Sequence, residues 1–155
     1  MTSPAGLGYD SVMVLTIITQ LFSNAPDNKH IKILVIDDNE IDQKVACAAI
    51  ERGGYSTLKA YDGKSGLAIA QSKLPDLIIL DYNLPDVNGP EVCKILKADQ
   101  STRGIPVLFL TSMTSPGSII DCYEQGGENY LAKPINPKFL LKQINQALKD
   151  RKTHQ

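Results

Sequence analysis

Aspartate, threonine and lysine side chains stand directly after short apolar runs at several places in the sequence. They are Asp37 and Asp38 after 31–36, Asp81 after 77–80, Thr111 after 107–110, and Lys133 after 129–132. Three acids brought together repel one another unless a cation compensates, and carboxylates suit a hard divalent ion such as Mg²⁺. A lysine and a hydroxyl suit phosphate oxygens, and an aspartate carboxylate is a nucleophile that forms aspartyl phosphates. If these residues meet in the fold, they best support metal-assisted phosphoryl transfer to an aspartate.

The apolar runs that precede these residues are typical of strands in a parallel sheet. A run such as 77–80 is apolar at every position, which favours a strand buried on both faces. Longer segments of helical period separate the runs. The predicted strands are 31–36, 55–60, 77–80, 107–110 and 129–132, and the predicted helices cover about 41–52, 64–72, 90–98, 118–125 and 137–148. This alternation implies a doubly wound α/β fold, in which functional residues lie beyond the carboxyl ends of the strands.

Apolar stripes on two helices predict which face each of them buries. In the first helix, the residues at helical spacing are Ile41, Val45, Ala48 and Ala49. The last helix has Asn136 as its N-cap, Pro137 at its first position, and a stripe of Phe139, Leu140, Ile144, Ala147 and Leu148. We expect both stripes to pack against the sheet.

Composition excludes several classes of protein. The 155 residues are 43% hydrophobic and 21% charged with a net charge of -1, which is ordinary for a globular domain and disfavours nucleic-acid binding. No apolar run reaches the ~18 residues that span a bilayer. Cys47, Cys93 and Cys122 lack paired spacing, which favours free thiols in a reducing cytoplasm. His30 and His154 lie outside the expected core, so a catalytic triad or a histidine metal site is hard to build.

Several motifs together resemble one known family. They are the Asp37-Asp38 pair, Asp62-Gly63 after the second strand, the loop Asp81–Gly89 with proline four and glycine eight positions after its aspartate, Thr111, and Lys133-Pro134. Residues 31 to about 150 are similar to the receiver domain of two-component response regulators, of the single-domain type that resembles chemotaxis regulators. The resemblance implies a flavodoxin-like receiver fold over 31–152, with a five-stranded parallel sheet of order 2-1-3-4-5. Residues 1–30 would then form an N-terminal extension.

The resemblance also implies a role for each site residue. Asp81 would be the phosphoacceptor, and Asp37, Asp38, Asp81 and the backbone carbonyl of Asn83 would hold Mg²⁺, with Mn²⁺ as a substitute. Lys133 would contact the phosphoryl group, Thr111 would hydrogen-bond to it, and Tyr130 would move inward behind Thr111. Asn83 and Met113 would flank the group and influence its lifetime. In this family, the peptide bond that corresponds to Lys133-Pro134 is usually cis.

A receiver of this kind is a signalling protein that catalyses only its own phosphorylation and dephosphorylation. Its expected donor is a histidine kinase or a histidine phosphotransfer protein. Its expected target binds the face formed by the fourth helix, fifth strand and fifth helix. The alternatives are a phosphorelay intermediate, an idle scaffold, and a Mg²⁺-dependent phosphohydrolase. Such hydrolases usually carry a second aspartate two residues after the first, where this chain has Asn83.

The N-terminal segment falls outside the resemblance. Eight of the eleven residues from 12 to 22 are apolar, and no basic residue precedes them, which disfavours a secretory signal. We predict a helix over residues 11–23. It either packs on its own receiver domain or forms a contact with a second copy or a docking partner.

Overall fold

Five parallel strands form one sheet in the order β2-β1-β3-β4-β5, with helices on both faces. The structure, a computed structural model, describes residues 10–15, 17 and 27–153. The elements are β1 (Lys32–Ile36), α1 (Glu40–Arg52), β2 (Ser56–Ala60), α2 (Gly63–Lys73), β3 (Leu77–Leu80), α3 (Gly89–Ala98), β4 (Val107–Thr111), α4 (Pro116–Glu124), β5 (Asn129–Ala132) and α5 (Pro137–Thr153). The predicted fold class and strand order are confirmed.

The central strands β1, β3 and β4 consist almost entirely of apolar residues because helices cover both faces of the sheet. On β1, Ile33 and Val35 face α1 and α5, whereas Leu34 and Ile36 face α2, α3 and α4. Each fully buried side chain of this kind stabilises the fold by about 1.5–3 kcal/mol relative to exposure. The two cores fix the sheet between its helices, and so they fix the positions of the strand ends.

Each helix begins at the carboxyl edge of the sheet with a side chain that accepts a backbone N–H. These capping residues are Asn39, Asp62, Asn88, Ser115 and Asn136. A polar cap satisfies N–H groups that have no partner within the helix. The caps therefore determine where the chain turns from each strand into the following helix, and they surround the edge where the candidate site lies.

The predicted buried stripe of α1 is wrong. Ile41 is 73% exposed, and Val45 and Ala48 are also exposed, whereas Ala49 is buried as expected. The buried face consists of Gln43, Ala46, Cys47, Ala49 and Ile50, and the side-chain Nε2 of Gln43 donates to the carbonyl of Ala60 at 2.8 Å. Because that position is polar, the apolar pattern alone places the buried face incorrectly.

On α5 the predicted stripe is mostly right. Leu140, Ile144 and Leu148 are buried and Ala147 packs against them, but Phe139 is 49% exposed. Asn136 caps the helix as predicted, since its Oδ1 accepts the N–H of Phe139 at 3.1 Å.

The three cysteines and His30 take no part in the strand-end cluster. Cys47, Cys93 and Cys122 are buried free thiols, and burial raises the pKa of Cys93 to about 11. His30 is exposed and precedes β1, and His154 lies outside the described residues.

The N-terminal segment is described only in part. Residues 11–15 and 17 are helical, and Asp10 Oδ1 accepts the N–H of Met13 at 2.7 Å. The remainder of the helix predicted over 11–23 lies outside the described residues, so its packing or docking role stays a prediction. Among the described residues, no helix is both long and apolar enough to cross a membrane.

Candidate functional site

Backbone hydrogen bonds continue past the strand ends and bring the candidate residues to one edge. The N–H of Asp37 donates to Ala60 O at 3.1 Å, and the N–H of Asp81 donates to Ile36 O at 3.0 Å. On the far side of the sheet, the N–H of Lys133 donates to Thr111 O at 3.0 Å. The first residue after β1, β3 and β5 is thus held by a neighbouring strand, which fixes its position.

Three carboxylates gather at this edge as the sequence predicts. One oxygen atom from each of Asp37, Asp38 and Asp81 lies within 4.8 Å of the others. Asp37 and Asp81 are buried, whereas Asp38 is exposed. Oxygen donors that are close together and open to water on one side suit Mg²⁺, which retains several water ligands. The donor set therefore fits the predicted metal.

Lys133 reaches this cluster from β5 and neutralises part of its charge. Its Nζ atom donates to Asp37 Oδ2 at 2.7 Å and to Asp81 Oδ2 at 3.1 Å, and its side chain is 11% exposed. Burial alone would lower the pKa of Lys133, but the bonds to carboxylates, led by Asp37, raise it well above its usual value. Burial is also the main cause that raises the pKa of Asp37, against the opposing bond from Lys133. The ammonium is therefore a fixed positive charge beside Asp81.

Two neighbouring residues of α1 belong to the site and were missed from the sequence. Asp42 Oδ2 lies 2.8 Å from Lys133 Nζ. Gln43 is 1% exposed and donates through Nε2 to the carbonyl oxygens of Ala60 and Asp37, so it ties the ends of β1 and β2 together. Charged and amide side chains in a first helical turn usually face water, so the sequence carried no signal that distinguished them.

The residues predicted to switch lie behind and beside the cluster. Thr111 is fully buried, and its Oγ1 accepts the N–H of Met113 at 3.2 Å. The Tyr130 hydroxyl is buried and has no hydrogen-bond partner among the described residues, and burial raises the pKa of Tyr130 to about 12. Tyr130 already points into the protein, and its movement on phosphorylation stays a prediction.

The loop from Asp81 to Gly89 is anchored at both ends. Asp86 accepts the N–H of Gly63 at 2.8 Å and of Lys64 at 2.9 Å, which fastens the loop to the start of α2. At Gly89, a Cβ atom would lie 3.0 Å from the carbonyl carbon of Asp81, so a larger residue would displace the loop. Asn83 lies between Asp81 and Asp86 in this loop, and its side chain is exposed to solvent.

The Lys133-Pro134 peptide bond is cis, as the resemblance implied. The sequence alone could not establish this, because most X–Pro bonds in folded proteins are trans.

Comparison with known proteins agrees with this geometry. The chain is 38% identical to the polar-differentiation response regulator DivK of Brucella ovis over 109 residues, which are 70% of this chain and 89% of that protein. The chemotaxis response regulator CheY4 of Vibrio cholerae has a solved structure with a TM-score of 0.71 and 32% identity, covering 76% of this chain and 98% of that one. A CheY-like receiver domain protein of Methanospirillum hungatei gives a TM-score of 0.75 at 26% identity, covering 81% and 98% of the two chains.

The family model for the response regulator receiver domain matches residues 33–145. This range holds all five strands except the first residue of β1, as well as the acidic cluster and Lys133. The chain therefore belongs to the response regulator receiver family of two-component signalling proteins.

Proposed function

We propose that the chain accepts a phosphoryl group on Asp81 from a phosphohistidine protein and that this modification changes its surface for a target protein. The observation that carries the proposal is the ammonium of Lys133, which lies 3.1 Å from Asp81 Oδ2 within a cluster of three carboxylates. A positive charge at that position would stabilise the negative charge of a transferring phosphoryl group.

Hydrogen bonding within the cluster favours Asp81 as the nucleophile. Asp37 has both oxygens engaged, because Oδ1 accepts the N–H of Asn39 at 2.9 Å and Oδ2 accepts from Lys133. Asp81 binds Lys133 through Oδ2, and its Oδ1 accepts no hydrogen bond from the described residues. That oxygen is not among the fully enclosed atoms that lack a partner, so it is accessible to attack phosphorus.

Asp37, Asp38 and Asp81, with the backbone carbonyl of Asn83, are the residues that would hold Mg²⁺. When bound, the ion neutralises the carboxylates and the oxygens of the incoming phosphoryl group. The buried carboxylates could not otherwise admit a further anion, since like charges at this distance repel strongly.

The transfer itself balances without any further reactant. An oxygen of Asp81 bonds to phosphorus while the bond between phosphorus and the donor imidazole nitrogen breaks. The imidazole, which carries a proton on its other nitrogen, leaves in its neutral form. Lys133 keeps its proton throughout, because its pKa is raised, and exchanges its bond to Asp81 for one to a phosphoryl oxygen.

An apolar surface beside the site suits the protein that donates the phosphoryl group. Ile41 and Val45 are exposed on α1, and Phe139 is exposed on the first turn of α5. Both helices begin at the carboxyl edge, and Asp42 of α1 reaches Lys133. A donor that brings its histidine to Asp81 must cover the residues around the site, and apolar side chains there would bind it.

The response to phosphorylation is proposed to reach the α4–β5–α5 face through Thr111 and Tyr130. The hydroxyl of Thr111 is bound only within its own turn, and Tyr130 has a buried hydroxyl that lacks a partner among the described residues. A small movement of either side chain would let its hydroxyl form a new hydrogen bond. Ile120 and Tyr123 are exposed on α4 and offer apolar contacts to a target.

Intact mass after incubation with acetyl phosphate tests the assignment of Asp81. We expect a gain of one phosphoryl mass that requires Mg²⁺ and is absent in Asp81→Asn. Glu40→Gln is the matched control, since it removes one acid near the site that is outside the cluster. Phosphorylation that persists in Asp81→Asn would contradict the proposal. Efficient transfer from Asp81 back to a histidine protein, without a change in target binding, would favour a phosphorelay intermediate instead.

A further inference from the structure

Lys133 has a third carboxylate partner that lies outside the acidic cluster. Its Nζ atom is 2.8 Å from Asp42 Oδ2, nearly as close as the 2.7 Å to Asp37. Two N–H groups of the ammonium are directed at Asp37 and Asp81, and Asp42 forms a close ion pair with the same nitrogen. The side chain of Asp42 is 31% exposed and those of the other two are below 10%, so Asp42 forms the solvent side of this arrangement.

The fold holds Asp42 and Lys133 on two rigid elements. Asp42 is the third residue of α1, and its N–H donates to Asn39 Oδ1 at 3.0 Å. Side chains of an α-helix point toward its N-terminus, which directs Asp42 to the edge where Lys133 lies. Lys133 is fixed on the other side by its backbone bond to Thr111. The ion pair therefore joins the start of α1 to the end of β5.

We propose that Asp42 is a positioning residue that keeps the Lys133 ammonium at the phosphoryl site while its other partners change. The inference rests on the proposed function, because it takes Asp81 as the acceptor. Phosphorylation replaces the bond from Lys133 to Asp81 with one to a phosphoryl oxygen. Asp37 lies in the cluster that would hold the cation, so its bond to Lys133 also faces competition. Asp42 belongs to neither centre, and its ion pair keeps the ammonium at this edge while the other two contacts change.

Two simpler roles for Asp42 must be separated from this one. An acid in the first turn of a helix stabilises that helix, and any acid near the site adds to its overall negative charge. Glu40 shares both properties, because it lies in the same turn and carries the same charge. It differs in having no contact with Lys133. Glu40→Gln is therefore the matched control for Asp42→Asn.

Phosphorylation kinetics with acetyl phosphate at saturating Mg²⁺ provide the first test. We expect the maximal rate of Asp42→Asn to fall about tenfold, which corresponds to about 1.4 kcal/mol of lost transition-state stabilisation when the ammonium is less well positioned. The donor concentration at half-maximal rate should change little, and Glu40→Gln should behave like the wild type. Equal rates for Asp42→Asn and the wild type would overturn the inference, and so would an equal loss in Glu40→Gln.

A double-mutant cycle without metal tests the ion pair independently of phosphorylation. Thermal midpoints in EDTA are compared for the wild type, Asp42→Asn, Lys133→Met and the double variant. We expect Asp42→Asn to lower the midpoint in the wild type, and to leave it unchanged or raise it once Lys133 is absent. Equal shifts in both backgrounds would overturn the inference. If the wild type fails to take up phosphate on Asp81, the proposed function fails, and the cycle still decides whether Asp42 holds Lys133.

Discussion

Replacing Asp38 with asparagine should stabilise the protein when no metal is present. Asp38 is exposed, and one of its oxygens lies within 4.8 Å of oxygens of both Asp37 and Asp81. Lys133 is bound directly to those two residues. The Asp38 carboxylate is therefore repelled by Asp37 and Asp81 at short range and attracted by Lys133. The asparagine variant removes all three interactions.

The size of the effect follows from these distances. Two unit charges at the 4.8 Å limit of the cluster interact by about 0.9 kcal/mol in water and by about 3.5 kcal/mol at an effective dielectric constant of about 20. Because Asp38 is exposed, the value for water is the better guide. One of the two repulsions is offset by Lys133, which leaves a gain of about 1 kcal/mol. For a chain of this length, this gain raises the thermal midpoint by about 3 °C.

Thermal or urea unfolding in EDTA measures this gain directly. Glu40→Gln is the control, since it removes an acid from the first turn of α1 but not from the cluster. It should lower the midpoint slightly, because an acid at a helix N-terminus is favourable. A lower midpoint for Asp38→Asn than for the wild type would refute the electrostatic reasoning.

Added Mg²⁺ should reverse the order of the two proteins. A ligand that binds the folded state stabilises it in proportion to the logarithm of its concentration over its dissociation constant. Asp38→Asn loses one of three carboxylates, so its midpoint should rise less as MgCl₂ is added. Equal rises in both proteins would exclude Asp38 from the metal site.

Three further predictions concern the surroundings of the site. Ile41→Asp should slow phosphoryl transfer from a phosphorylated histidine phosphotransfer protein about tenfold, while the rate with acetyl phosphate should not change. An equal loss of rate with both donors would argue against docking of the donor protein at α1. Met113→Ala should shorten the lifetime of the phosphorylated protein, measured as loss of phosphoryl mass with time, and an unchanged lifetime would exclude shielding by Met113. The Gly63 N–H is the main cause that lowers the pKa of Asp86 below 3.8, so Asp86→Asn should lower the thermal midpoint at neutral pH. The difference in thermal midpoint between the two proteins should disappear as the pH falls through the lowered pKa of Asp86. A difference that persists in acid would show that the Asp86 carboxylate is not its cause.

The fold was predictable because the strands and the helix starts depend on local signals. Runs such as 77–80 are apolar at every position, as expected for a strand that is covered on both faces. Asn39 and Asn136 cap their helices as their residue types suggest. Once the strands are parallel, their carboxyl ends share one edge, so the meeting of Asp37, Asp81 and Lys133 follows from topology alone.

The buried face of α1 was not predictable in the same way, because a polar residue occupies its first buried position. Gln43 is buried through bonds to the carbonyl oxygens of Val35, Asp37 and Ala60, which lie far from it in sequence or on another element. The exposed Ile41 and Val45 match an apolar stripe equally well. Periodicity cannot separate an apolar surface that serves binding from one that serves packing, because both repeat with the helical period.

If Asp81 accepts a phosphoryl group as proposed, the charge balance of the site would link cation binding to phosphorylation. Asp37, Asp42 and Asp81 lie around the ammonium of Lys133 and Asp38 lies beside two of them, so the described site carries more negative than positive charge. A phosphoryl group on Asp81 replaces one negative charge with nearly two, which increases the need for a cation. A bound cation would in turn favour the phosphorylated form over the free carboxylate. Because such coupling is reciprocal, phosphorylation should tighten Mg²⁺ binding by the same factor by which Mg²⁺ favours phosphorylation at equilibrium.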